Sequence, residues 1–205
     1  MTSGTSNQEK KPTFTDRLRV RFKKDLDRIG GFLLSLGLTP NILTLLGVFG
    51  NLVGAVLIAF GYLTAGGLVL LLMGAMDALD GTMARLKGTP SKWGGFVDSV
   101  SDRYSELLIF AGLLVYYLDR GNNLMSLLIF FAAAGSVMVS YTRARAFSLG
   151  YEVKRGLLTR AERFFILTPL IIIGYPQIGI VIIAIFANFT AFQRIYYVHN
   201  EAVQE

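Results

Sequence analysis

From residue 40 onward the chain is written in long apolar runs separated by short polar or glycine-containing breaks. Runs of roughly 20 apolar residues are what a helix needs to cross a bilayer, so the pattern predicts a bundle of spanning helices. The first run covers 40 to 60, with Pro40 tolerable in a first turn and Thr39 as its cap. Its glycines, Gly47, Gly50 and Gly54, recur at three and four residues and predict a smooth face for a close neighbour. A second run begins after the 61–67 turn and ends near Arg85. A third begins at Trp93, placed where an interfacial aromatic anchors a helix, and reaches about 118. The fourth occupies 124 to 149. The last apolar stretch, 164 to 192, is interrupted by Gly174-Tyr175-Pro176, and glycine followed by proline predicts two spans joined by a tight turn.

Ahead of these runs the period changes. Between residues 12 and 36 apolar positions recur every three or four residues, at Leu18, Phe22, Leu26, Ile29 and Leu33. Arg17, Arg21, Lys24 and Arg28 stand among the polar positions. That pattern predicts an amphipathic helix lying in the headgroup region, capped at its start by Thr15 or Asp16. Residues 1–11 are polar and without period, and are expected to be disordered. The predicted fold class is therefore all-α: a polytopic membrane protein with six transmembrane helices (37–197), an N-terminal amphipathic juxtamembrane helix and a tail at 198–205.

Composition agrees with this reading. Of the 205 residues 53% are hydrophobic and 17% charged, against about 25% charged in an average soluble domain. No cysteine is present, which excludes disulfides and thiolate metal sites. The net charge of +6 matters less than its distribution. An even number of spans puts both termini on one side. The loops opposite, at 61–67, 119–123 and 174–178, hold Arg120 alone of the 20 lysines and arginines. That asymmetry makes the terminal side cytoplasmic, in a cell (plasma) membrane, and explains the basic balance without nucleic acid.

The costly residues are Asp77, Asp80, Asp98 and Asp102, which sit at the cytoplasmic ends of spans two and three. A carboxylate at membrane depth requires a partner, an aqueous cavity or a metal. Asp77 and Asp80 are three apart and Asp98 and Asp102 four apart, so each pair shares a helix face. Joined by a short loop, the two helices are expected to be direct neighbours whose acidic faces meet. Converging carboxylates need cations, and an oxygen-only ligand set suits Mg²⁺, Mn²⁺ or Ca²⁺. Gly81, Ala84, Gly94 and Gly95 are small enough to admit a nucleotide, and Arg85 is able to hold a phosphate. Plain interfacial ion pairs, and a non-enzymatic cation-handling membrane protein, also place acids in spans; isoprenoid synthases fit the spacing poorly.

The run Asp77-x-x-Asp80-Gly81-x-x-Ala84-Arg85, eight residues, Gly94-x-x-x-Asp98-x-x-x-Asp102 resembles the signature of the CDP-alcohol phosphotransferase family at every fixed position. The resemblance covers roughly residues 38–196 and includes Leu38-Thr39-Pro40-Asn41. It implies a homodimer that transfers a phosphatidyl-type group from a CDP-lipid such as CDP-diacylglycerol to an alcohol, releasing CMP. It further implies two divalent cations, Mg²⁺ or Mn²⁺, on Asp77, Asp80, Asp98 and Asp102, with Asp102 as the base. Gly81, Ala84 and Arg85 would line the CDP site. Tyr141-Thr142-Arg143-Ala144-Arg145-Ala146 and Arg160-Ala161-Glu162-Arg163 look like the basic elements of the branch that uses inositol 1-phosphate. In that branch Arg143, Arg145, Arg160 and Arg163 would hold the acceptor phosphate, since arginine forks suit phosphate oxygens. Glycerol 3-phosphate is the alternative acceptor.

Overall fold

The computed structural model describes residues 22–88, 91–153 and 156–203. The polar start at 1–11, the expected caps Thr15 and Asp16, the periodic Leu18 with Arg17 and Arg21, and Pro90, Lys154 and Arg155 of the two basic-side loops lie outside the described residues. Within them the chain forms seven α-helices and no strand: α1 (Lys23–Ser35), α2 (Pro40–Ala59), α3 (Leu63–Leu86), α4 (Lys92–Asp119), α5 (Asn123–Ser148), α6 (Arg160–Ile172) and α7 (Pro176–Ala202).

Most breaks fall where the sequence places them, but the turn expected at 61–67 is confined to residues 60–62, and 63–67 already belong to α3. The Thr39 side chain accepts a hydrogen bond from the Ile42 amide at 3.4 Å, with Pro40 in the first turn. Ser91 caps α4 by accepting from the Gly94 amide at 2.9 Å. Gly174 adopts φ 85°, a left-handed value that ends the preceding helix, and Pro176 opens α7.

Four helices, α2, α3, α5 and α7, are long and apolar enough to cross a membrane. Two of the six expected spans are less simple. α4 has the length, at 28 residues, but Asp98, Asp102, Arg103 and Glu106 lie between its start and its middle. α6 has 13 residues, about 20 Å of helix against a hydrocarbon core of about 30 Å. Large apolar side chains cover the outside: Phe49, Leu72, Phe130 and Phe192 are each at least 60% exposed. That much apolar surface marks contact with lipid rather than water.

Packing corrects one expectation. The aspartate-bearing helices α3 and α4 do not lie side by side; both pack along α2. Small residues on α2 and its partners make this possible. A Cβ added at Gly66 of α3 would fall 2.8 Å from the Gly54 carbonyl oxygen of α2, and Gly112 of α4 abuts the Ala55 backbone of α2 in the same way. Both helices lean on α2, and at their charged ends the acids of α3 face those of α4. α5 packs against α7 and also against α4, α1 lies on α3, and α6 joins α3 to α7. Ile58, Leu113, Ile129, Ile171 and Ile183 are buried in the common core. Thr64 Oγ1 donates to the Ile172 carbonyl at 2.9 Å, and Asn188 Nδ2 to that of Phe131 at 2.9 Å. These bonds fix α3 on α6 and α5 on α7.

Candidate functional site

Three of the four aspartates converge. Asp77 of α3 and Asp98 and Asp102 of α4 each offer a carboxylate oxygen, and the three oxygens lie within 4.8 Å of one another. Asp80 is 5% exposed, and its Oδ2 accepts a hydrogen bond of 2.7 Å from Thr44 Oγ1 of α2. Like charges at such spacing demand a cation. An all-oxygen donor set within reach of one small ion fits a divalent metal.

The cluster stands between two cavities. The larger, about 820 Å³, has Asp77, Asp80, Asp102, Glu106, Arg143, Arg160 and Arg163 at its polar end. Leu43, Leu71, Phe164 and Phe165 line its apolar part, together with Phe22 and Leu26 at the start of α1. The smaller, about 510 Å³, is walled by Asn41, Gly81, Ala84, Gly94, Gly95 and Asp98. Asp80 borders both. One cavity thus joins long apolar side chains to charged ones, and the other is walled by small residues together with Asn41, Asp80 and Asp98.

The arginines divide. Arg160, the first residue of α6, reaches back into the acids: its Nη1 lies 2.7 Å from Asp102 Oδ1, and both terminal nitrogens donate to Asp77 at 3.3 Å. Arg163, one turn on and 1% exposed, forms a fork with Glu106, Nε to Oε1 at 2.6 Å and Nη2 to Oε2 at 2.8 Å. Thr159 and Glu162 form a reciprocal capping box that fixes this turn. Arg143 joins Arg160 and Arg163 in lining the larger cavity, whereas Arg145 lines neither and donates to Ser148 Oγ on its own helix at 3.4 Å. Arg85 also lies outside both cavity walls, with Nη2 donating to Thr82 Oγ1 at 2.7 Å.

Sequence reasoning passed over Thr44, Glu106 and Arg194. Glu106 had a signal, since it continues the four-residue stripe of Asp98 and Asp102. Thr44 and the buried Arg194, which donates to the Val139 carbonyl, had none. Their partners lie on helices distant in sequence.

Comparison with known proteins agrees with the arrangement. Residues 37–192 match the family model of CDP-alcohol phosphatidyltransferases. The chain belongs to that family. It is 36% identical over 181 residues to the archaetidylinositol phosphate synthase of Pyrococcus horikoshii, covering 88% of this chain and 94% of that one. It is 35% identical over 201 residues to the phosphatidylinositol phosphate synthase of Streptomyces avermitilis, covering 91% and 82%. The crystal structure of Mycobacterium tuberculosis phosphatidylinositol phosphate synthase with CDP-DAG bound superposes with a TM-score of 0.79 at 29% identity, covering 84% of this chain and 92% of that one. The same enzyme in complex with manganese and citrate gives the same score, covering 84% and 88%. As a member of this family the chain is a membrane-embedded transferase of phospholipid biosynthesis.

Proposed function

We propose that this enzyme transfers the phosphatidyl group of CDP-diacylglycerol to a hydroxyl of inositol 1-phosphate and releases CMP. The observation that carries the reading is the meeting, at one end of one cavity, of Asp77 and Asp102 with Arg143, Arg160 and Arg163. A phosphorylated acceptor needs such cations beside the reacting carboxylate, and an uncharged alcohol does not. The names of the relatives favour the same acceptor.

The chain's residues divide the work as follows. The acyl chains lie along the apolar part of the larger cavity, and the cytidine diphosphate beside Gly81 and Ala84, with Arg85 near its phosphates. Arg143, Arg160 and Arg163, with Arg145 at the edge, draw in the acceptor phosphate. Asp102 takes the proton of the attacking hydroxyl. That oxygen bonds to the phosphorus carrying the diacylglycerol, and the bond from that phosphorus to the CMP oxygen breaks. Divalent ions, Mg²⁺ or Mn²⁺ and two per site, held by Asp77, Asp80, Asp98 and Asp102, offset the diphosphate charge when bound. For Asp102 to act, Arg160 must release it, and an incoming phosphate provides Arg160 with another anion.

Around the site we place six spans, counting α4 and α6, within a domain of residues 37–197. The amphipathic segment lies on the cytoplasmic face of the plasma membrane, both termini are cytoplasmic, and the enzyme is a homodimer. The test is product formation in liposomes holding CDP-diacylglycerol, with inositol 1-phosphate outside. Expected are CMP and a lipid of the mass of phosphatidylinositol phosphate, both lost on chelation. Asp102→Asn should lower kcat by at least about a hundredfold. A variant near parental rate would remove Asp102 from the role of base.

A further inference from the structure

Two helices line the larger cavity in the same order, from its charged end to its apolar part. α4 contributes Asp102, then Ser105, then Ile109, and α2 contributes Thr44, then Gly47, then Asn51. Positions three or four apart share one helix face, so each set forms one stripe. The transfer reaction itself gives Ser105 and Asn51 no part. Gly112 of α4 abuts Ala55 of α2, and the two helices run parallel, since α3 reverses the chain between them. Counting back two turns from that contact puts Ser105 level with Val48, one turn from Asn51.

Both residues are more than nine-tenths buried, Ser105 at 7% and Asn51 at 9% exposure. A hydroxyl on a helix can turn back to the carbonyl four residues before it, as those of Thr82, Ser140, Thr142 and Thr190 do. The Ser105 hydroxyl does not, and it has no hydrogen-bond partner among the described residues. Of the buried side-chain nitrogens and oxygens there, only Ser136 Oγ is both sealed and unpartnered. Ser105 Oγ is therefore open, and the larger cavity is what it opens on. Asn51 Nδ2 donates to the Gly47 carbonyl at 2.9 Å, and Asn51 Oδ1 is open on this wall in the same way. A carboxamide has two N–H donors, so one remains beside that oxygen. Gly47 leaves room next to it, since a Cβ there would meet nothing within 4 Å. Buried polar groups are costly without partners, and these two lie where the wall turns from charged to apolar.

We infer that Ser105 and Asn51 hold the ester carbonyls of the CDP-lipid and so make the enzyme selective for a diacyl over a dialkyl lipid. This rests on the reading of the larger cavity as the lipid site. With the reacting phosphorus at Asp102, the glycerol reaches toward the depth of Ser105, one turn further in. The two acyl esters come next, and the chains follow into the apolar part. An ester carbonyl accepts a hydrogen bond from a hydroxyl or an amide N–H. A dialkyl lipid has no carbonyl at that depth and leaves both donors buried and unpaired. Ser105 and Asn51 touch neither the reacting atoms nor the acceptor, so their removal acts on use of the CDP-lipid alone.

The experiment measures kcat/KM in liposomes for CDP-diacylglycerol and for CDP-dialkylglycerol of the same chain length. Inositol 1-phosphate is the acceptor, and its KM and the Tm are measured alongside. The parent should favour the diacyl lipid by about twentyfold, two neutral hydrogen bonds at roughly fivefold each. Ser105→Ala and Asn51→Leu should each lower that preference by about fivefold, through slower use of the diacyl lipid, and the double variant should bring it near one. The acceptor KM should stay within about twofold of the parent's. A parent that uses both lipids equally, or a double variant with the parental ratio, overturns the inference. So does an equal loss with both lipids or a matching rise in the acceptor KM, either of which marks a structural role. If Asn51→Leu does not fold, Ser105→Ala, which removes a single oxygen, decides alone, and a parental ratio in it overturns the inference. CMP release from neither lipid in the parent overturns instead the reading on which the inference rests.

Discussion

Among individual residues, Arg160 is the most informative. It contacts two of the three carboxylates that suit a divalent ion, Asp77 and Asp102, so arginine and metal compete for the same oxygens. Arg160→Ala should therefore bind Mn²⁺ more tightly than the parent, by several-fold to about tenfold, when titrated by electron paramagnetic resonance without substrates. An unchanged or weaker affinity would mean that Arg160 supports the metal site rather than opposing it. The aspartates themselves were legible in the sequence, because an acid in an apolar run is costly and the spacing of three and four places each pair on one face. The partner of each was not. Asp80 takes Thr44 and Arg163 takes Glu106 across 36 and 57 residues of chain, and periodicity within one helix carries no record of such pairings.

At the scale of the element, the site depends on what keeps α3 and α4 apart. Sequence reasoning made them direct neighbours because the loop between them is short. In the structure both pack on α2 instead, since Gly54, Gly66 and Gly112 let three backbones approach more closely than larger residues allow. Of the glycines expected to form a smooth face on α2, Gly50 and Gly54 meet α3 while Gly47 has open space beside it, and the number of partners on that face was not encoded in their spacing. A methyl group at Gly66 would meet Ile58 Cγ1 at 2.6 Å and the Gly54 carbonyl oxygen at 2.8 Å. Gly66→Ala should accordingly cost about 1–3 kcal/mol, read as a fall of several degrees in Tm in detergent, as overpacked cores do. Because α2 also holds Asp80 through Thr44, Mn²⁺ affinity should fall in the same variant. Parental Tm and affinity together would show that α2 does not set the spacing of the acids. The short α6 is the other element whose role was partly hidden. Its start was read as basic and its end as a turn, both correctly, but only packing shows that its first turn closes the cavity opposite the aspartates.

For the whole molecule, four helices qualify as spans by length and composition, and the remaining helices are shortened or charged where the chemistry sits. Fold class was legible because apolar runs and their glycine and proline breaks are local properties. The boundaries at Thr39 and Gly174 were legible for the same reason. Acceptor identity was less so, since it depends on which arginines share one cavity: Arg143, Arg160 and Arg163 do, and Arg145, two residues from Arg143, does not. The account therefore stands on the link between that cavity and a phosphorylated inositol. The direct test is a competition in which the purified enzyme in liposomes receives CDP-diacylglycerol and equal concentrations of inositol 1-phosphate and glycerol 3-phosphate, with both lipid products quantified by mass. The account predicts a product ratio favouring the inositol lipid by at least about a hundredfold, the discrimination available to a site built for the right polar groups. A majority of phosphatidylglycerophosphate, or CMP release with neither product, would contradict it.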